Sequence, residues 1–205
     1  MEKLAKAISI VFHPLLLITL GTWFILDFDS IYHVALGTKT QLIYLLIILM
    51  GTFILPLNAI FFMQRIMSTD ISVYMQEKRD RRIPLLISAI CVLLTFYLFN
   101  YKLGYRAPHI VRGYLLGTAA SIVLASIVNL RFKISLHSIG LGGTLGLLIY
   151  LQENAFFDLR PIIACWILFS GIVIWARLYL HSHNLTEIYT GFLSGLTLIY
   201  LIVRL

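Results

Sequence analysis

Long apolar runs, separated by short polar segments, dominate this sequence. The runs occupy residues 8–26, 41–63, 83–101, 109–130, 134–151, 161–180 and 187–203. A helix needs about 20 residues to cross about 30 Å of hydrocarbon, because each residue adds about 1.5 Å and every backbone amide must bond within the helix. The sequence therefore predicts an all-α, polytopic transmembrane helical bundle with six to seven spans.

The composition supports a membrane protein and limits its partners. Of 205 residues, 60% are apolar and 12% are charged, and the mean hydropathy is +0.93, outside the range of soluble domains. The net charge of +7 comes from basic residues scattered between the spans. This pattern favours membrane lipids with anionic headgroups as partners and argues against nucleic acid.

No repeat or linker divides the chain, so we expect one integral membrane domain over residues 1–205. We expect it in a bacterial cytoplasmic membrane, with its orientation and oligomeric state open. Basic residues are more numerous on one face of the membrane, which would place that face in the cytoplasm. Several of these residues are also candidate site residues, however, so their number is poor evidence of the orientation of the chain.

Counting the spans from the N-terminus assigns the polar loops to two membrane faces. Side A holds the N-terminus and residues 64–82, 131–133 and 181–186, whereas side B holds residues 27–40, 102–108, 152–160 and the C-terminus. The densest polar clusters all fall on side A. A site built from several of these clusters is therefore compatible with the topology.

The cations of side A are those that a phosphate site needs. A phosphate monoester carries close to two negative charges, and Arg binds it best because its planar fork bonds two oxygens at once. Lys78, Arg82 and Arg177 supply such cations. Ser135 stands at the start of a predicted helix, where free backbone amides attract anions. For Arg177 the alternative is an interfacial membrane anchor.

Two histidines on the same side add reactive groups. A neutral imidazole attacks phosphorus when its other nitrogen donates to a carboxylate, and His183 and Glu187 have a suitable spacing for this. His137 is a candidate acid for the departing alkoxide, although a packed histidine is the alternative. No CxxC pair or HExxH motif is present, so we expect no metal and no cofactor.

Three segments resemble the motifs of the type 2 phosphatidic acid phosphatase superfamily. The family's third motif is Ser-Arg, five residues, His, three residues, Asp, and this chain has Ala176-Arg177, then His183 and Glu187 at that spacing. The second motif, Pro-Ser-Gly-His, appears as Ile134-Ser135-Leu136-His137, which keeps Ser and His. The first motif, Lys, six residues, Arg-Pro, is echoed by Lys78 to Arg82 with Pro84.

The resemblance extends from about residue 78 to 195 and predicts a phosphatase-like core over about 78–205. It implies that His183 is a nucleophile that forms a phosphohistidine, oriented by Glu187, and that His137 is the acid. It also implies phosphate-binding roles for four residues, with no metal: Arg177, Arg82, Lys78 and Ser135.

The predicted function is hydrolysis of a lipid phosphate monoester or pyrophosphate at the bilayer surface. Prenyl pyrophosphate, phosphatidic acid and phosphatidylglycerol phosphate remain open as substrates. The alternative is a lipid or anion transporter that binds through the same groups without turnover. We assign no role to His13, whose neighbour Pro14 is expected to kink the first span and expose a carbonyl to the histidine. Small residues from Gly140 to Gly146 are expected to allow close helix packing.

Overall fold

The fold is described from a computed structural model that covers residues 1–67, 82–103 and 108–205. Within these ranges the regular structure is helical throughout, which confirms the all-α prediction. The α-helices are α1 (Glu2–Val11), α2 (Pro14–Phe28), α3 (Ser30–Ala35), α4 (Thr38–Leu49), α5 (Leu55–Met67), α6 (Arg82–Tyr97), α7 (His109–Val128), α8 (Leu136–Asn154), α9 (Arg160–Tyr179) and α10 (Leu185–Arg204). Two π-helical segments, Met50–Ile54 and Leu98–Lys102, follow α4 and α6.

In the described part of the chain, five helical stretches are long and apolar enough to cross a bilayer, or six if a bent helix pair is counted as one span. The five are Thr38–Met63, Arg82–Lys102, His109–Val128, Arg160–Tyr179 and Leu185–Arg204, and the pair is α1 with α2. The polytopic membrane architecture is thus confirmed.

The remaining expected span, residues 134–151, corresponds to α8, which begins at Leu136 and is not among those stretches. Four glycines and the polar end Gln152–Asn154 dilute its apolar side chains. Most of its middle is buried inside the bundle. An apolar run alone does not distinguish a lipid-facing helix from one that neighbouring helices surround.

The break between α1 and α2 lies at His13-Pro14, where the helix axis bends by 53°. Pro14 has no amide hydrogen and suits the first position of a helix. The Nδ1 atom of His13 accepts a hydrogen bond from the Leu15 amide at 3.3 Å and so caps α2. The expected kink is present, but the imidazole bonds an amide and not the carbonyl that we had expected.

Helices α8 and α10 run parallel with their backbones in contact. A Cβ atom on Gly142 would lie 2.8 Å from the carbonyl carbon of Phe192, and one on Gly195 would lie 2.9 Å from that of Ile139. Gly146 and Gly191 make similarly close approaches, to Leu196 and Ser135. The expected close packing of the α8 glycines is confirmed. It brings the N-terminal ends of α8 and α10 together at the same end of the bundle.

A tight turn joins α9 to α10 on that side. The Ser182 amide donates to the carbonyl oxygen of Arg177 at 3.1 Å, and His181 adopts a left-handed conformation with φ of 49°. This is the geometry of a Schellman turn, in which a left-handed residue ends the helix. The turn reverses the chain within a few residues, so Arg177 and His183 stay at the same end of the bundle.

Candidate functional site

A buried histidine–carboxylate pair lies at the start of α10. The Nδ1–H of His183 donates to Oε2 of Glu187 at 2.6 Å, with the two side chains 2% and 11% exposed. One helical turn separates the residues, which is the spacing at which side chains meet. Because Nδ1 carries the proton toward the carboxylate, Nε2 is the nitrogen with the lone pair.

Asn184 holds the carboxylate of this pair from its other side. Its Nδ2 donates to Oε1 of Glu187 at 3.2 Å, while the Glu187 amide donates to Oδ1 of Asn184 at 2.9 Å. Both carboxylate oxygens therefore have a partner, one in His183 and one in Asn184. Capping by Asn184 is detectable in the sequence, because Asn three residues before Glu resembles a capping box. It is a supporting residue that the motif comparison did not identify.

Ser135 caps α8 directly behind the pair. Its side chain is fully buried and accepts from the Ser138 amide at 3.3 Å, and its own amide donates to the Glu187 carbonyl oxygen at 3.2 Å. The Ser138 hydroxyl also donates to the Ser135 hydroxyl at 3.0 Å. These bonds tie the start of α8 to α10. Ser135 is adjacent to the His183–Glu187 pair, called the dyad below, but is not among the residues that line the cavity described below.

Ser9 of α1 connects the two other predicted site residues. The Nε2–H of His137 donates to the Ser9 carbonyl oxygen at 3.0 Å, and Nη1 of Arg177 donates to the Ser9 hydroxyl at 3.3 Å. Ser9 is itself 8% exposed. The three residues lie on α1, α8 and α9. Sequence reasoning missed Ser9, because nothing in the local pattern around it indicates partners 128 and 168 residues away.

Lys133 links the two polar turns of the site. Its Nζ donates to the carbonyl oxygen of Ser182 at 2.8 Å. This contact joins the turn before α8 to the turn before α10. Lys133 belongs to a basic cluster visible in the sequence but was not among the predicted phosphate ligands. The structure adds it to the group of cations beside His183.

A cavity of about 1390 Å³ joins these groups to the apolar interior. Its polar end is lined by Lys133, His137, Arg177 and His183, together with His13 of the α1–α2 break. The ion pair Glu2–Lys6 of α1 lines it too, so a carboxylate is present among the cations. Its apolar part is lined by side chains of α2, α5, α6, α7, α8 and α10, among them Leu17, Leu57, Phe61, Leu85, Ile122 and Ile199. The volume exceeds the range of about 300–1,000 Å³ that is typical of small-molecule sites.

The cavity wall includes residues that also face outward. Ile10 of α1 is 71% exposed, and Leu57 and Phe61 of α5 are 45% and 60% exposed. In a membrane-spanning chain these surfaces meet hydrocarbon, not water. An amphipathic molecule can therefore place its polar end among the cations and its apolar part toward the lipid that contacts these outward-facing side chains of α1 and α5.

A smaller recess of about 320 Å³ lies on the turn side of the dyad. It is lined by Lys133, His181, Ser182, His183, Asn184 and Glu187. Lys133 and His183 border both spaces. The dyad is therefore close to the polar end of the large cavity and to the surface formed by the turns.

Of the two predicted phosphate ligands in the first motif, the structure describes Arg82. Arg82 is the first residue of α6 and is exposed, and it is not among the cavity-lining residues, although Pro84 and Leu85 of the same helix are. Lys78 lies outside the described residues. The predicted phosphate-binding roles of Lys78 and Arg82 stay predictions.

The described residues contain no group of three or more His, Cys, Asp or Glu side chains arranged to hold a metal ion. Cys91 and Cys165 are free thiols. Comparison with protein-family models, with curated proteins and with solved structures found no match for this chain.

Proposed function

We propose that this protein is a membrane lipid phosphatase that hydrolyses a phosphate monoester or pyrophosphate through a phosphohistidine on His183. The observation that carries this proposal is the buried 2.6 Å contact between His183 and Glu187 beside a large, cation-lined cavity. A histidine whose Nδ1 proton is held by a carboxylate presents the other nitrogen as a nucleophile. This is also the arrangement implied by the resemblance to the type 2 phosphatidic acid phosphatase superfamily.

In the proposed first step, the Nε2 lone pair of His183 bonds to phosphorus as the bond from phosphorus to the lipid oxygen breaks. The imidazolium that forms is stabilised by Glu187, and the leaving oxygen takes the Nδ1 proton of a doubly protonated His137, whose Nε2–H stays bonded to the Ser9 carbonyl oxygen. In the second step water attacks phosphorus and gives a proton to His137, the phosphorus–nitrogen bond breaks, and inorganic phosphate leaves. Arg177 and Lys133 stabilise the negative oxygens, as fixed cations do in phosphoryl transfer.

The shape of the cavity supports a lipid in preference to a small soluble phosphate ester. The cations lie at one end, and the apolar walls continue toward outward-facing side chains of α1 and α5. Burying apolar surface contributes about 25 cal/mol per Å², so an acyl or prenyl chain that enters the cavity adds binding energy that a headgroup alone lacks. A lipid tail can enter from the bilayer without leaving hydrocarbon.

Phosphate release from purified protein in a nonionic detergent tests the proposal. We expect release from at least one member of a panel containing prenyl pyrophosphate, phosphatidic acid and phosphatidylglycerol phosphate, and none from the His183→Ala variant. His109→Gln is the matched control, because His109 contacts Tyr32 at a distance from the cavity residues. An acid-labile, alkali-stable phosphoprotein in wild type but not in His183→Ala would identify the intermediate. Absence of release from the whole panel would overturn the proposal.

A second candidate function is a lipid or anion transporter that binds the same group without hydrolysis. It is favoured by the bonds from His137 and Arg177 to Ser9, since both side chains then hold α1 in place. Movement of α1 would open or close the cavity. Uptake of a labelled lipid phosphate into proteoliposomes, without phosphate release, would support this candidate. A bacterial cytoplasmic membrane remains the proposed location for either function, and membrane fractionation of the source cells tests it.

A further inference from the structure

His13 is a third imidazole in the cavity, and neither the motif comparison nor the proposed mechanism uses it. It lies in the break between α1 and α2 and is half-buried. It lines the same cavity as Arg177, His137 and His183. Its ring centroid lies 6.3 Å from that of His137. A polar side chain at this depth in a membrane protein needs a partner for each of its polar atoms or a function.

The hydrogen bond to α2 fixes the tautomer of His13. Nδ1 accepts the Leu15 amide hydrogen at 3.3 Å, so its lone pair is used and it carries no proton. In a neutral imidazole the proton is then on Nε2, which is a donor. The two nitrogens lie on different edges of the ring, so capping by Nδ1 leaves Nε2 directed away from the start of α2.

Nε2 makes no hydrogen bond with any residue in the described ranges, and His13 is itself one of the residues that line the cavity. The closest ring contacts of His13 are with Phe53, at 5.8 Å between centroids, and His137, at 6.3 Å. Capping alone does not require a histidine, because Ser, Asp or Asn caps a helix without leaving a second nitrogen to satisfy. The unused donor faces a space that also contains the guanidinium of Arg177.

We infer that His13 is a further substrate-binding residue, whose Nε2–H donates to an oxygen of the substrate phosphate, a role that rests on the proposed function. The imidazoles of His13 and His137, whose ring centroids are 6.3 Å apart, can reach oxygens of one phosphate group. An N–H···O bond spans about 2.9 Å from ring nitrogen to oxygen. As a neutral donor, His13 adds a directed hydrogen bond without adding charge. The break at Pro14 is then what turns this side chain toward the phosphate.

Two substitutions separate the capping role from the binding role. In His13→Asn the amide oxygen replaces Nδ1 as the cap acceptor, but the side chain is too short to replace Nε2. In His13→Gln the longer amide places an N–H donor near the position of Nε2 and loses the cap. A hydrogen bond to a charged acceptor contributes about 1.5–3 kcal/mol, which corresponds to about tenfold or more in affinity.

We therefore expect His13→Asn to raise KM for the lipid phosphate about tenfold or more, with kcat and the melting temperature little changed. We expect His13→Gln to keep KM within about threefold of wild type and to lose about 2–4 °C in melting temperature, the effect of a lost cap. Equal KM values in both variants and wild type would overturn the role. Equal loss in both variants would overturn it too, since the Gln donor would then bring no rescue.

Binding of decylphosphonate, measured by calorimetry in the same detergent, distinguishes this inference from the proposed hydrolysis. The phosphonate has a carbon–phosphorus bond and binds without turnover. Tight binding to wild type, weakened by Asn and retained by Gln, supports the role of His13 even if no phosphate is released from any lipid. No binding to wild type overturns the role of His13. If phosphate is released from a lipid but wild type and both variants bind and hydrolyse alike, the role of His13 is overturned while the proposed hydrolysis stands.

Discussion

The contact between α8 and α10 determines how the site is assembled, and Gly195→Ala tests it. A Cβ atom at this position would lie 2.9 Å from the carbonyl carbon of Ile139 and 3.0 Å from the amide nitrogen of Gly143. Ordinary contacts between nonbonded carbons are about 3.5–4.0 Å, so the methyl group is about 0.6 Å or more too close. Both neighbours are backbone atoms, which no rotamer change can move aside. The helices must separate.

The magnitude follows from two opposing effects. Overpacking costs about 3 kcal/mol at the upper end of its usual range, and replacing Gly by Ala in a helix returns about 1 kcal/mol. The net destabilisation is about 2 kcal/mol. For a chain of this size 1 kcal/mol corresponds to about 2–4 °C, so we expect the melting temperature to fall by about 4–8 °C.

Gly171→Ala in α9 is the matched control. A Cβ atom at Gly171 has nothing within 4 Å, so only the gain in helix propensity remains. We expect its melting temperature to rise by about 2–4 °C. Tryptophan fluorescence during heating in detergent measures both variants. If Gly195→Ala is as stable as Gly171→Ala, the two helices are not in backbone contact and the assembly described for the site is wrong.

Further predictions concern single side chains of the site. Glu187→Gln should reduce phosphate release at least 100-fold, because a neutral amide does not stabilise the His183 imidazolium, whereas the exposed Glu153→Gln should have no effect. Arg177→Lys should lower kcat/KM more than Arg160→Lys does, because only at Arg177 would a bidentate contact with phosphate be lost. Turnover of Arg177→Lys at the wild-type rate would show that Arg177 is a membrane anchor. His137→Ala should lose about 10²–10⁴-fold on lipid phosphates but recover much of that on nitrophenyl phosphate, whose leaving group needs no proton, while equal losses would exclude the acid role. Activity should also survive a strong chelator, and a loss reversed by magnesium would exclude the metal-independent histidine mechanism.

The local part of the site was predictable from the sequence. His183 and Glu187 are four residues apart, and within or next to one helix that spacing alone brings the side chains together. The same holds for the cap that Asn184 provides. That the chain is a membrane protein was equally predictable from the sequence. Apolar content and run length reflect the free energy of transfer into hydrocarbon, which each residue contributes individually.

The long-range part was not predictable. Ser9 lies 128 residues from His137 and 168 from Arg177, and no periodicity connects positions so far apart. His13 was given no role, because its sequence context indicates a kink and says nothing about which side chains surround it. The burial of Ser135 was missed for the same reason, since the motif that contains it does not show which side of the helix end faces the cavity.

Packing decided that the middle of α8 is surrounded by other helices and does not face lipid. Residues 134–151 have the apolar run of a lipid-facing span, yet they correspond to α8, whose glycines contact the backbone of α10. A glycine in a sequence indicates only that a side chain is absent. Whether a second backbone fills that space depends on where the rest of the chain lies. The sequence by itself determined that this protein is a bundle of membrane helices with a histidine–glutamate pair, whereas the tertiary structure decided that this pair lies beside a cavity with cations at one end and apolar walls at the other.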